Sequence, residues 1–337
     1  MGYRGIKVAV VLIAVSCGLL ALPARAADWK PVRPINLIVP WAAGGSTDQI
    51  TRLVAGEMEK SLGQTIVIIN QPGASGSIGT RSALEAAKDG YTWTAGAAQD
   101  LGAYQTLGSL DTSIKDWHLF LSVANVQVIG VNAKAPYQSA KELLDAMKAQ
   151  PGKISVATAG VTSAGHNAME LIAKVTGVKY RHVTYDGGNP AVVATVSGEA
   201  EVTTQLAVEQ ADMIRGKRLR PLATVSDKPL ELEGFGTIPP LSETLPGFTA
   251  PTNYFGIFIP KGVPDEVIAT VEKIWMENIS SSEAVKKYAT SRGALFAPSS
   301  GEAAQKAVFP AVQANAWLLF DTGKAKVSPD TVGIPKP

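Results

Sequence analysis

From residue 35 onward, short apolar runs alternate with stretches whose apolar residues recur every three or four positions, and this alternation limits the fold more than any other feature. Residues 35–39 (INLIV) form a run closed by Pro40, which predicts a buried strand. Ile50, Leu53, Val54, Met58 and Leu62 then lie on one helical stripe. Residues 65–70 (TIVIIN) are rich in β-branched side chains and bounded by Gly63 and Pro72, so they predict a second strand. A helix over 77–88 and a third strand over 91–95 follow. Strand–helix–strand succession implies an α/β fold, a parallel sheet covered by helices.

The rhythm resumes in the second half. Helices over 139–149, 165–176, 189–197 and 207–215 precede strands over 154–158, 180–185, 201–205 and 219–225, and helices over 264–279, 282–291 and 300–320 close the chain. Ser46 with Gln49, Ser139 with Glu142 and Ser299 with Glu302 have the spacing of capping boxes. The length exceeds what one core usually serves, so two domains are expected. Apolar segments 126–131 and 254–259 read as strands crossing between them. They divide the chain into residues 28–126 plus 254–337 and an inserted 127–253, with a ligand cleft between.

The first residues read as an export signal, not as part of the fold. Arg4 and Lys7 precede an apolar run over 8–22, Pro23 breaks it, and Ala24-Arg25-Ala26 has the small-x-small form of a cleavage site. The run is shorter than the roughly 20 residues of a membrane span. Residues 1–26 are therefore expected to be removed on export to the periplasm. Cys17, the only cysteine, lies inside that run, so no disulfide, thiolate metal site or cysteine nucleophile is expected afterwards. Removing Arg4, Lys7 and Arg25 leaves 28 basic residues against 29 acidic ones. A nearly neutral protein has no broad field to hold nucleic acid. The basic run Arg215, Lys217, Arg218 and Arg220 reads as a solvated turn.

Chemistry is expected where strands hand over to helices, because ligands of open α/β sheets bind outside the carboxyl ends of the strands. The first such loop, 40–48, offers Trp41 as a flat wall, Ala43 and Gly44 on a flexible turn, the hydroxyls of Ser46 and Thr47, and Asp48 at a helix start. A helix N-terminus carries unpaired N–H groups and the positive end of a dipole, which suits an anion. The second loop, 158–166, has the same character, with Thr158, Gly160, Thr162, Ser163 and His166 as candidate contacts. Asp186, in a third loop, and Gln205, at a strand end, complete the candidate set.

These segments, in this order, resemble the Bug/TctC family, the periplasmic solute-binding proteins of tripartite tricarboxylate transporters. The resemblance rests on INLIVP with GGSTD (35–48), LGQ (62–64), NQPGASGSIG (70–79), DGYT (89–92), PGK (151–153), TAGVTSAGH (158–166), HVTYDG (182–187) and GIFIPKGVP (256–264). It implies a type II periplasmic binding fold, two α/β domains that close on a small carboxylate, with membrane permease subunits as partners. It implies ligand contacts from Trp41, Gly44, Ser46, Thr47 and Asp48 and from Thr158, Thr162, Ser163 and His166. Three positions depart from the family pattern: Trp41 replaces the usual Phe, Ala43 a frequent Pro, and Ala194 a frequent Asp.

Other readings fare worse. Gly73, Gly76 and Gly79 have GxxGxxG spacing, not the GxGxxG of a dinucleotide loop. Tyr137 and Lys141 have dehydrogenase spacing, but Ser139 caps the helix and separates them. No GxSxG elbow is present, and His118, His166 and His182 are too scattered for a catalytic zinc site. The expectation is therefore a monomeric binding protein without enzyme activity, cofactor or metal. A ligand sensor of the same fold, signalling to a receptor kinase, remains the alternative task.

Overall fold

The computed structural model describes residues 29–337 together with Met1; the expected export signal lies outside the described residues. The elements run β1 (Ile35–Val39), α1 (Ser46–Leu62), β2 (Ile66–Asn70), α2 (Ser77–Glu85), β3 (Thr92–Ala97), α3 (Ala98–Leu107) and β4 (Trp117–Asn125). Next come β5 (Val128–Asn132), α4 (Ala140–Ala149), β6 (Ser155–Thr158), α5 (Ala164–Thr176), β7 (Arg181–Thr184), α6 (Gly188–Ser197), β8 (Val202–Thr203), α7 (Ala207–Arg215), β9 (Leu219–Thr224) and the hairpin β10 (Leu230–Leu232) and β11 (Gly236–Ile238). The chain ends with β12 (Asn253–Pro260), α8 (Asp265–Ile274), α9 (Glu283–Arg292), β13 (Ala294–Ser300) and α10 (Gly301–Asp321).

Two sheets result. One has six strands in the order β13-β4-β12-β3-β1-β2, the other five in the order β7-β6-β8-β5-β9. In the first, β1 pairs in parallel with β2 and β3, Ile35 opposite Ile66 and Asn36 opposite Thr92. In the second, β6 pairs in parallel with β7 and β8. β12 and β5 run antiparallel to their neighbours. Each sheet with the helices packed on it forms a lobe. Apolar clusters cover both faces of each sheet, one pair built around Trp93 with Trp275 and around Trp117, the other around Met147 and Ile214.

The passage between lobes differs from the expected strand over 126–131. β4 ends at Asn125 in one sheet and β5 begins at Val128 in the other, so the chain changes sheet at Val126-Gln127. It returns through irregular residues before β12. Gln210 fixes this region, donating from its side chain to the carbonyls of Val128 and Gln205 at 2.8 and 2.7 Å. Two expected caps also differ. Gly45, not Ser46, is the N-cap of α1, and Ser300, not Ser299, precedes α10; neither caps through a side chain. Ser139 does cap α4, accepting from Glu142 N. Among the described residues no helix is long and apolar enough to cross a membrane.

The basic run is structural. Lys217 takes a left-handed turn between α7 and β9, Arg220 donates to the carbonyls of Ala133, Ala135 and Tyr137, and Arg215 bonds the carbonyls of Glu233 and Ser291. The glycines at 76 and 79 serve packing: a Cβ at Gly76 would meet Trp41 at 3.1 Å, and one at Gly79 would meet Pro40 at 2.9 Å.

Candidate functional site

Parallel strands deliver their following helices with N-termini at one edge of each sheet, and the two lobes set these edges face to face. Residues at the starts of α1, α3, α5, α6 and α7 line one cavity: Ser46 and Thr47, Asp100, Ser163 and Ala164, Gly188, and Leu206 and Glu209. Trp41, Gly45, Ala97, Ala159, Gln205 and Phe255 complete the wall. The lobes are shut on it. About 30 Å³ of space remains, room for about two waters at roughly 10–15 Å³ each.

The α1 end of the cavity is built by Asp48. Its Oδ2 accepts from Gly44 N at 2.9 Å, and its Oδ1 accepts from Asn70 Nδ2 at 2.9 Å and Arg52 Nε at 3.0 Å. Burial pushes this carboxyl up, but the bonds from Arg52, Gly44 and Asn70 together hold it below the usual range. Asp48 therefore shapes the loop, with both oxygens turned to it, and does not line the cavity. Gly44 is left-handed at φ 81°, and Gln49 Nε2 donates to its carbonyl at 2.7 Å. With Gly45 as cap, α1 has no side-chain acceptor of its own. Ser46 N donates instead to Glu209 Oε1 of the opposite lobe at 2.9 Å. Glu209 Oε2 also accepts from Leu206 N at 3.3 Å, at the start of its own helix. Burial pushes the Glu209 carboxyl up, and the Ser46 and Leu206 bonds oppose this.

The α5 end is self-contained. Ser163 Oγ accepts from His166 N at 3.2 Å and donates to Gly160 O at 2.8 Å. The neighbouring residues tie the lobes together. Thr162 Oγ1 donates to Ser75 O at 2.9 Å, Val161 N donates to Ser75 Oγ at 3.2 Å, and Ala42 N donates to Asp186 O at 2.9 Å. Ser75 is itself left-handed at φ 55°.

Of the expected contacts, Trp41, Ser46, Thr47, Ser163 and Gln205 line the cavity. Trp41 packs on Val39 and Ala159 as an apolar wall. The others lie elsewhere. Ala43 is exposed on the outside of its loop. Gly44 and Asp48 form the loop interior, as above. Thr158 is buried against His182, with Oγ1 and Nε2 2.6 Å apart. His166 faces away from the cavity, fully buried and stacked on His182 at 4.2 Å. Burial first, then His182 and Lys324, push its ring down to about 2, so it stays neutral. Gly160 and Asp186 line a separate cleft of about 340 Å³ beside Trp41. Thr162 binds Ser75. Conversely, Asp100, Glu209 and Phe255 line the cavity without having been expected. The sequence signal for the two acids is only that of an acid in the first turn of a helix.

Known proteins share this architecture. Residues 50–317 match the TctC family, described as the tripartite tricarboxylate transporter family receptor. A protein of Pseudomonas sp. (strain P51), encoded between tcbD and tcbE, is 32% identical over 76% of this chain and 76% of its own length. BugT of Bordetella pertussis (strain Tohama I) is 31% identical over 83% of this chain and 86% of its own. The solved periplasmic binding protein BugD superimposes with a TM-score of 0.80 at 26% identity, covering 88% of this chain and 99% of that one. The paired α/β lobes, the shared cavity at their helix starts and these matches agree: the chain belongs to the TctC family of periplasmic solute-binding proteins and has the type II periplasmic binding fold.

Proposed function

We propose that this protein captures a small carboxylate in the periplasm and presents it to the membrane permease subunits of a tripartite tricarboxylate-type transporter, acting as a monomer without cofactor. On this reading, residues 28–126 with 254–337 form one moving domain and 127–253 the other. The observation that carries the proposal is the carboxyl of Glu209 seated on Ser46 N at the start of α1. That seat accepts a carboxylate, and the helix dipole adds about 0.3–2 kcal/mol to its hold.

A ligand carboxylate takes this seat when the lobes part and Glu209 withdraws with α7. Reclosure brings Ser163 and Gln205 against the same ligand. The full set of contacts exists only in the closed form, so ligand shifts the population toward it and the permease reads that shape. Hydrogen bonds to a charged group contribute about 1.5–3 kcal/mol each, so a few suffice for micromolar affinity, about −8.2 kcal/mol.

Thermal shift against a panel of small carboxylates tests the capture. A true ligand at 100 times its Kd adds about 2.7 kcal/mol of stability. A flat response across the panel sinks the carboxylate reading. X-ray scattering tests the motion: a radius of gyration unchanged by saturating ligand rules out closure as the signal.

A further inference from the structure

The charges on the cavity wall point to a narrower class of ligand. Among the described residues two acidic side chains face the cavity, Asp100 from one lobe and Glu209 from the other, and no lysine, arginine or histidine lines it. Asp100 is 4% exposed, and its Oδ1 is buried without a hydrogen-bond partner. Gln205, 2% exposed, leaves its amide Nε2 unpartnered on the same wall. Buried polar atoms are almost always paired, so an acceptor and a donor left open on one cavity mark where a ligand bonds.

A dicarboxylate is a poor complement to this wall. Its first carboxylate would find the N–H groups of α1, but its second would enter beside two acids with no cation to offset it, and like charges in one buried site disfavour one another. A positively charged nitrogen reverses the sign. An ammonium offers three donors and no acceptor, which suits Asp100 Oδ1. Gln205 Nε2, a donor, suits a ligand carboxylate oxygen.

We infer that the ligand is a small zwitterion, a carboxylate bearing a cationic nitrogen, whose carboxylate replaces the Glu209 carboxyl at the start of α1 while its nitrogen meets Asp100 and Glu209. This rests on the carboxylate reading above and narrows it. Burial holds both acidic groups above the usual carboxylate range, and a further carboxylate beside them would raise them more. A bound cation supplies the partner that burial denies them.

Calorimetry with matched probes tests the inference. The purified protein is titrated with the proteinogenic amino acids and glycine betaine, and with plain counterparts: propionate for alanine, 3-phenylpropionate for phenylalanine, succinate for aspartate and glutarate for glutamate. At least one zwitterion is expected to bind tenfold or more tightly than its plain counterpart. Asp100→Asn and Glu209→Gln, both isosteric, should each shrink that ratio severalfold while thermal melts stay cooperative. Plain acids binding as tightly as their amino counterparts would overturn the inference and leave the carboxylate reading standing. A preference unchanged in both variants overturns it too, by removing the two acids from the site. Binding by no probe of either set overturns both readings.

Discussion

The two helix starts that face each other across the cavity solve the same problem differently. α5 caps one of its first N–H groups from within: Ser163 Oγ accepts from His166 N. α1 begins at a glycine with no side-chain cap, and its Ser46 N reaches across to Glu209. A self-capped helix start gains little from a ligand, whereas one whose acceptor comes from the opposite lobe loses it whenever the lobes separate. The α1 end is thus the seat for an anion, and the α5 end is a fixed wall that frames it.

The largest effect expected from this contrast is on binding. Ser46→Leu puts a branched side chain into a cavity with about 30 Å³ to spare. It should cost 100-fold or more in affinity, about 2.7 kcal/mol. Ser163→Ala, which enlarges the wall and leaves the α1 seat intact, should cost tenfold or less. Calorimetry on both variants with the ligand found by thermal shift decides it; equal losses would erase the distinction between the two ends.

Next in size is the loop that holds the seat open. Asp48→Ala removes acceptors from Gly44 N, Asn70 and Arg52 together. At about 1.5–3 kcal/mol for bonds to a charged group, urea unfolding should show a loss of about 2–3 kcal/mol, allowing for partial solvation of Arg52. Because the folded carboxyl lies below its ordinary range, this stability is present above the unfolded-chain value of about 3.9 and fades as pH falls through the folded one. A loss below about 0.5 kcal/mol would mean that the loop holds its shape without this residue.

Asp48 also shows what the sequence could and could not tell. The strand-to-helix loops were legible because Gly44-Gly45 and Thr162-Ser163 stand where apolar runs end, and the cavity does lie there. Strand β4 is not legible in the sequence, because its nine residues are almost all buried and carry no alternation to mark a strand. Strand β13 and helix α3 were missed as well; β13 is mostly half-buried, and α3 is buried nearly all round, so neither has a clear polar face. At the site, the polar residues of a loop do not all face the cavity. Asp48, Thr158 and His166 face inward to neighbours that sequence does not reveal. Asp100 and Glu209 were hidden by the opposite effect: each resembles an ordinary acid that favours its own helix dipole.

A smaller effect separates these two acids from Asp48 in sign. Burial raises both above the usual range. A raised carboxyl binds its proton more tightly in the folded than in the unfolded chain, so stability declines as pH climbs from about 4 toward the folded value. Their neutral isosteres escape this decline. Asp100→Asn, and to a lesser degree Glu209→Gln, should therefore raise the melting temperature at pH 7 by a few degrees, about 1 kcal/mol for a chain of this size. The advantage should shrink as the pH is taken toward 4. Melting curves of the unliganded proteins across that range carry the test, and an advantage that grows on acidification contradicts the buried, cation-free setting.

The smallest effect isolates the self-capped end. Ser163→Ala leaves His166 N without its acceptor, a change that typically costs about 1 kcal/mol at a helix N-cap. Ser163 does not titrate, and the nearest ionisable ring, His166, is held neutral down to about 2. The loss in urea unfolding should therefore be the same at pH 5 and pH 8. Glu209→Gln should behave otherwise, because its acceptor is a titrating group shared between lobes. If the Ser163→Ala loss varied with pH as the Glu209→Gln effect does, the α5 start would be coupled to the same cross-cleft carboxyl, and the two ends would be one seat rather than a seat and a wall.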